Sequence, residues 1–182
     1  MKTLRRYNTP GDAHFLTFSC FERQQFLRSE RPLSWLSDSL SKACEVHCCF
    51  LWAYVFMPEH VHLLIKPEHA EYRISDFLVS LKKSVSNKAL NYLKSAGKPA
   101  PAWEPFWDLQ KDGRKVFRFW QRGGGYDRNL HSIDEIREKV IYMHNNPVIR
   151  GLCETPELWR WSSAEFYATG KAGPIPVTRP DI

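Results

Sequence analysis

Two spacings of apolar residues organise the chain. Ile74, Phe77, Leu78, Leu81, Val85, Ala89 and Leu93 recur every three or four positions from Arg73 to Lys94, with Lys82, Lys83 and Lys88 largely on the other side, which predicts an amphipathic helix. Leu33, Leu36, Leu40 and Ala43 repeat that period through Ser34 to Val46, and Pro32 suits the first turn of such a helix. His14 to Cys20 instead alternates loosely and is rich in Phe and Thr, which predicts a strand. Cys49 to Phe56 and Val61 to Ile65 are dense apolar runs punctuated by Pro58 and closed by Pro67, the pattern of strand, tight turn, strand.

The second half is more broken. Gly97 to Pro101 interrupts the long helix, a strand is expected at Lys115 to Gln121, and Gly123-Gly124-Gly125 marks a turn. Ser132-Ile133-Asp134-Glu135 is a capping-box pattern, so a helix should begin at Ile133 with Ile133, Ile136, Val140 and Met143 on its buried face. Pro147 should stop it, because the residue before proline is pushed away from helical angles. Trp159, Trp161 and Phe166 fit a short segment folded back on the body, and the chain from Gly170 should be loose. This order is not a simple strand–helix alternation. It predicts an α+β fold with helices packed on an antiparallel sheet, as one domain over 1–169 with a loose tail over 170–182.

Composition agrees with one soluble core. The 182 residues are 43% hydrophobic, enough for one domain, and no run reaches the roughly 18 apolar residues of a membrane span. The expected location is the cytoplasm, where Cys20, Cys44, Cys48, Cys49 and Cys153 stay reduced. Cys44, His47, Cys48 and Cys49 lie close in sequence, but no second pair completes a zinc-finger spacing, so burial is the simpler reading. A net charge of +6 permits a polyanionic partner. Arg5-Arg6-Tyr7 and Lys115 to Arg122 mix cations with aromatic rings, a composition suited to phosphates and stacked bases.

Candidate chemistry lies at two places. In Glu59-His60-Val61-His62, a strand puts both histidines on one face and Val61 on the other, which is half a metal site. Imidazoles suit Mn, Fe, Ni or Zn, and Mg only with oxygen ligands and water. Along the helix from Ile133, Tyr142 falls off the apolar face and shares a surface with Asn146, four residues on, whose amide could add an oxygen ligand. Tyr126, just after the glycine run, is the rival tyrosine.

The joint order of several motifs resembles a known family: the REP-associated tyrosine transposases, within the single-tyrosine HUH transposases. The resemblance rests on Arg5-Arg6-Tyr7, on Tyr54 to Leu64, on Phe119-Trp120-Gln121, on Tyr142 to Val148, on Gly151-Leu152 and on Trp161-Ser162-Ser163. It implies a ferredoxin-like antiparallel sheet with helices. It implies a metal-dependent single-stranded DNA endonuclease and strand transferase acting on hairpins of repetitive palindromic DNA through a 5′-phosphotyrosine. His60, His62 and Asn146 then match the ligands of a divalent metal ion, Mg or Mn, and Tyr142 the nucleophile. Arg5 and Arg6 match readers of the hairpin foot, and Lys82, Lys83, Arg114, Arg118 and Arg122 are, by their charge, candidate phosphate contacts. A monomer bound to the nucleoid is expected, and a hairpin-binding regulator with weak cleavage is the alternative. Glu59 departs from the family's usual Asn, and the glycine run is unusual.

Overall fold

The computed structural model describes residues 7–97, 99 and 102–180. Arg5 and Arg6 lie outside the described residues. In chain order the elements are β1 (Ala13–Ser19), α1 (Glu30–Val46), β2 (Cys49–Phe56), β3 (His60–Pro67), α2 (Ile74–Ser95), β4 (Trp107–Leu109), β5 (Lys115–Phe117), β6 (Tyr126–Leu130), α3 (Ile133–Ile149) and α4 (Ala164–Thr169). The main sheet is antiparallel in the order β2-β3-β1-β6, and β4 and β5 form a separate hairpin. The architecture is therefore the α+β sandwich expected.

Each face of the sheet buries its own core. Leu16, Phe18, Val61, Leu63 and Ile65 point toward the apolar stripes of α1 and α2, including Leu36, Leu40, Phe77, Leu81 and Val85. Ala13, Phe15, Val55 and Leu64 point the other way and pack with Ile136, Val140 and Met143 of α3. Because β1 and β3 are central and covered on both sides, they are buried at nearly every position rather than in clean alternation. In β2 the register slips between Leu51 and Ala53, so the bulge lets Leu51 and Tyr54 share one face.

Four expectations need correction. The fourth strand is Tyr126–Leu130, pairing with β1 from Ala13↔Leu130 to Thr17↔Tyr126, and not Lys115 to Gln121. That earlier stretch splits into the short β5 and an irregular run whose Phe119 and Trp120 join the α1–α2 core. Second, α3 continues past Pro147 to Ile149. Proline there forfeits one hydrogen bond just before the helix ends, and its buried ring is packed in place. Third, Ile133 is 49% exposed, so the buried face of α3 begins at Ile136. Fourth, the segment after Gly170 is not loose. Ile175 is buried, its N–H donates to the Tyr54 hydroxyl, and the Thr178 N–H donates to the Leu51 carbonyl, so the tail lies along the outer edge of β2.

That edge is also covered by Trp161 to Ser163. The Phe56 N–H donates to the Trp161 carbonyl at 2.8 Å, and the Ser163 N–H donates to the Tyr54 carbonyl at 3.0 Å. Paired in this way, β2 presents little open strand edge to other chains. The Ser163 hydroxyl accepts from the Tyr54 N–H, donates to the Tyr54 carbonyl and accepts from Nε2 of the buried His144, 2.8 Å away. One serine thus ties α3 to β2.

Two stability predictions follow from local structure. Gly125 has φ +77, and a methyl group there would meet the Thr17 carbonyl and the Phe18 side chain, whereas Gly123, also at positive φ, faces open space. Gly125→Ala should therefore cost about 2–4 kcal/mol in denaturant unfolding, and Gly123→Ala only about 1 kcal/mol. Burial lowers the His144 pKa from 6.5 to about 4. A depressed histidine pKa means the unfolded chain takes up the proton first, so stability is full above pH 6.5 and falls as pH drops toward 4. The loss is on the order of 3 kcal/mol, and unfolding curves of His144→Gln should be flatter across that window.

Candidate functional site

Strand geometry assembles the first half of the site. His60 and His62 sit on the α3-facing side of β3 and are 6% and 3% exposed. Their Nε2 atoms converge to 3.0 Å. Nitrogen ligands about 2.0–2.1 Å from one ion lie at a comparable separation, so the pair is spaced for shared coordination. The far nitrogens are also held. His60 Nδ1 donates to Glu59 Oε1 at 3.1 Å, and His62 Nδ1 lies 2.8 Å from Thr17 Oγ1, directly across the β1–β3 ladder. Without an ion the rings form a directional chain, in which the Thr17 hydroxyl donates to His62, whose Nε2–H donates to His60. Moving the His62 proton to Nδ1, where Thr17 can accept it, would release both Nε2 lone pairs to a cation.

The electrostatics favour that neutral, ligating form. Burial lowers the His60 pKa, against the opposing pull of Glu59. Burial, reinforced by His60, lowers His62 to about 3, with a hydrogen bond donated to Asn146 acting the other way. Glu59 is buried as well. Burial alone would raise its carboxyl, but hydrogen bonds and charge from Arg150 and His60 bring it below the usual value. Arg150 Nη1 lies 2.7 Å from Glu59 Oε1, and Arg23 approaches at 3.7 Å. Glu59 thus arrives with its own counterions.

The second half comes from α3. Tyr142, Asn146 and Arg150 are spaced by four, so one stripe of the helix and its C-cap runs past the histidines. The Tyr142 ring meets His62 edge-on at 5.8 Å, and Phe15 lies against both, stacked on His62 at 5.5 Å. Tyr142 is 48% exposed, off the buried face of the helix. Asn146 donates from Nδ2 to the Tyr142 carbonyl, leaving Oδ1 as a possible oxygen ligand. Tyr126 lies on the same side of the sheet, but its ring meets Phe15 rather than a histidine.

Among the described residues, no cluster of three or more His, Cys, Asp or Glu is placed to hold a metal. At Cys44, His47, Cys48 and Cys49, burial drives the Cys44 and Cys49 thiols up to about 12. The histidine pair fits a divalent ion only with non-acidic partners, which are the Asn146 amide, water and a substrate oxygen.

The predicted cationic contacts divide. Lys82, Lys83, Arg118 and Arg122 line a cleft of about 390 Å³ between α2 and the 117–124 segment, together with Phe117 and Trp120. Lys82 donates to the Gly123 carbonyl, and both Arg118 and Arg122 are paired with Asp108. Arg114 stands apart from this cleft, paired with Asp112. Sequence reading missed Asp108, Thr17 and Arg150, whose partners lie 10, 45 and 91 residues away.

A four-stranded antiparallel sheet carrying paired histidines opposite a helical tyrosine has the form of a DNA-processing transposase. The chain belongs to the IS200-like transposase family, whose model matches residues 12–109, including both histidines but not α3. Among solved structures, a REP-associated tyrosine transposase bound to a REP hairpin superposes with a TM-score of 0.69 at 19% identity. It covers 100% of this chain and 95% of that chain. A protein described as a transposase from Deinococcus radiodurans R1 aligns at 21% identity with a TM-score of 0.45, over 84% of this chain and 98% of that one. No curated protein sequence matches the chain. No helix among the described residues is long and apolar enough to cross a membrane.

The site geometry predicts how metal affinity divides among its residues. In calorimetric titration with Mn²⁺, His62→Ala should abolish binding. Thr17→Val, which removes the hydroxyl that orients His62, should weaken it roughly 10–100-fold.

Proposed function

We propose that the protein is a metal-dependent single-stranded DNA endonuclease and strand transferase acting on hairpin-forming palindromic repeats, as its resemblance to REP-associated tyrosine transposases implies. The observation that carries the reading is the edge contact of the Tyr142 ring on His62, with Asn146 one turn further along the same helix.

Each residue has a role in that chemistry. His60, His62 and the Asn146 amide oxygen would hold a divalent ion, Mg or Mn, which would supply polarisation of the scissile phosphate. Thr17 and Glu59 fix the two imidazoles so that little reorganisation accompanies binding. Phe15 and His62 hold the Tyr142 ring, while its exposure leaves the hydroxyl able to meet a phosphodiester. The Tyr142 oxygen attacks phosphorus, the bond to the 3′ oxygen breaks, and that oxygen leaves as a hydroxyl after taking up the proton given up by the phenol. The 5′-phosphotyrosine formed keeps the energy of the phosphodiester, so a 3′-hydroxyl can reverse the step and join a new strand. Lys82, Lys83, Arg118 and Arg122 supply phosphate contacts in the cleft beside α2.

The alternative, a hairpin-binding regulator that cleaves weakly, shares the fold and the cationic cleft. What favours the enzyme is the tyrosine held directly against a histidine pair.

Incubation of labelled single-stranded hairpin DNA with Mn²⁺, followed by a denaturing gel, tests this. The wild type should form a covalent adduct, Tyr142→Phe none, and Tyr126→Phe a normal yield. An adduct that persists in Tyr142→Phe and disappears in Tyr126→Phe would transfer the nucleophile to Tyr126. Hairpin binding with no adduct at all would select the regulator.

A further inference from the structure

Beyond Glu59, on the side away from His62, lies a cavity of about 490 Å³ that no step above uses. Its size is within the range of small-ligand pockets, about 300–1,000 Å³. Pro58, Leu152, Trp159 and Trp161 give it apolar walls, and Glu59 and Arg150, with Gln25, Arg28 and Glu30, line it as polar groups. Both indole N–H groups are already committed inside the fold: Trp159 Nε1 donates to the Phe56 carbonyl at 2.9 Å, and Trp161 Nε1 to Glu30 Oε1 at 3.4 Å. What the two tryptophans have left to offer a ligand is ring surface.

Glu59 supplies the polar signal. Its side chain is only 5% exposed, and Oε1 receives both the Arg150 guanidinium and His60 Nδ1. Oε2 is buried with no hydrogen-bond partner. A buried acceptor left unmet costs about 1–3 kcal/mol, more when charged, so a donor that met it from this cavity, with a turn of the carboxylate toward the opening, would recover that cost. The remaining guanidinium N–H groups of Arg150 stand beside it as donors for a neighbouring acceptor.

We propose that this cavity is a nucleobase subsite that takes one base of the bound strand and prefers a base with an exocyclic amino group: cytosine, adenine or guanine. The amino group donates to the unmet Glu59 oxygen, the adjacent ring nitrogen or carbonyl accepts from Arg150, and the ring lies against the tryptophan wall. Thymine suits it less, because its single ring N–H is flanked by two carbonyl oxygens that would face the carboxylate. Glu59 bonds His60 with one oxygen and borders the cavity, so the base it reads neighbours the phosphate at the histidines. The proposal rests on the single-stranded DNA reading given above.

The probes are hexanucleotides of deoxycytidine, deoxyadenosine and deoxythymidine, titrated without added metal at one fixed salt concentration and followed by NMR of the indole groups. Trp159→Phe and Trp161→Phe assign the two signals. Both signals should shift with the cytosine and adenine oligomers, and affinity for the thymine oligomer should be roughly fivefold lower, the value of one net hydrogen bond. Leu152→Trp, which fills the mouth of the cavity from a residue 40% exposed, should erase that preference. Retention of the preference in Leu152→Trp, or binding that leaves both indoles unmoved or treats thymine equally, overturns the subsite while the covalent-adduct assay upholds the DNA reading. Failure of every oligomer to bind, with no adduct formed on hairpin DNA, overturns both.

Discussion

Everything at the site depends on the antiparallel pairing of β1 with β3. Opposing His62 with Thr17 brings the hydroxyl to Nδ1 and leaves Nε2 facing His60. The same register sets Phe15 beside the His62 ring, where it also supports Tyr142. A slip of one residue would move His60 and His62 to the face covered by α1 and α2, away from Tyr142 and Asn146. The apolar loading of β3 prevents such a slip, because Val61, Leu63 and Ile65 would all have to change faces with the histidines. The core therefore fixes the chemistry as well as the stability.

The helix side is fixed by a different device. Helix α3 has a narrow apolar stripe, Ile136, Val140 and Met143, and its contact with the sheet is modest. Two polar anchors supplement it. At the N-terminus the Ser132 hydroxyl accepts from the Glu135 N–H, and Glu135 reaches the His131 N–H, one residue before the usual capping-box partner. Toward the C-terminus the His144–Ser163–Tyr54 hydrogen bonds tie the helix to β2. Between the anchors, Tyr142 and Asn146 are held in angle about the helix axis without being buried. A wholly apolar helix would be held more firmly, but it would leave no polar face for a substrate.

The features legible in the sequence were those with local periods. The stripe of α2, the alternation that joins His60 to His62 and the four-residue spacing of Tyr142 and Asn146 all follow from one element at a time. β6 was not legible, because Tyr-Asp-Arg-Asn-Leu buries only its last residue and earns its place by backbone pairing at the sheet edge. Lys115 to Gln121 looked like a strand because Phe117, Phe119 and Trp120 must be buried, yet their destination is the helical core. The tail failed for the complementary reason. Its few apolar residues, Ile175 and Val177, are meaningful only once the edge of β2 is known to need a cover. Gly125 illustrates the same limit: a glycine run reads as flexibility, and only the approach of the Thr17 carbonyl shows why one member must lack a side chain.

Charge was the least transferable part of the sequence reading, and the reason is pairing. A net +6 invites the view that each basic residue is available to phosphate, yet Arg118 and Arg122 share Asp108, Arg114 holds Asp112, and Arg150 holds Glu59. A phosphate entering the cleft beside α2 must compete with a carboxylate already there, so the gain per arginine is a difference between two ion pairs. What pairing removes in affinity it returns in position, because Asp108 holds two guanidinium groups in the cleft before any DNA arrives. Glu59 does the same for Arg150 beside the histidines. The strongly placed cations of this protein are thus those with an acidic partner, and their net count measures attraction at a distance rather than recognition at contact.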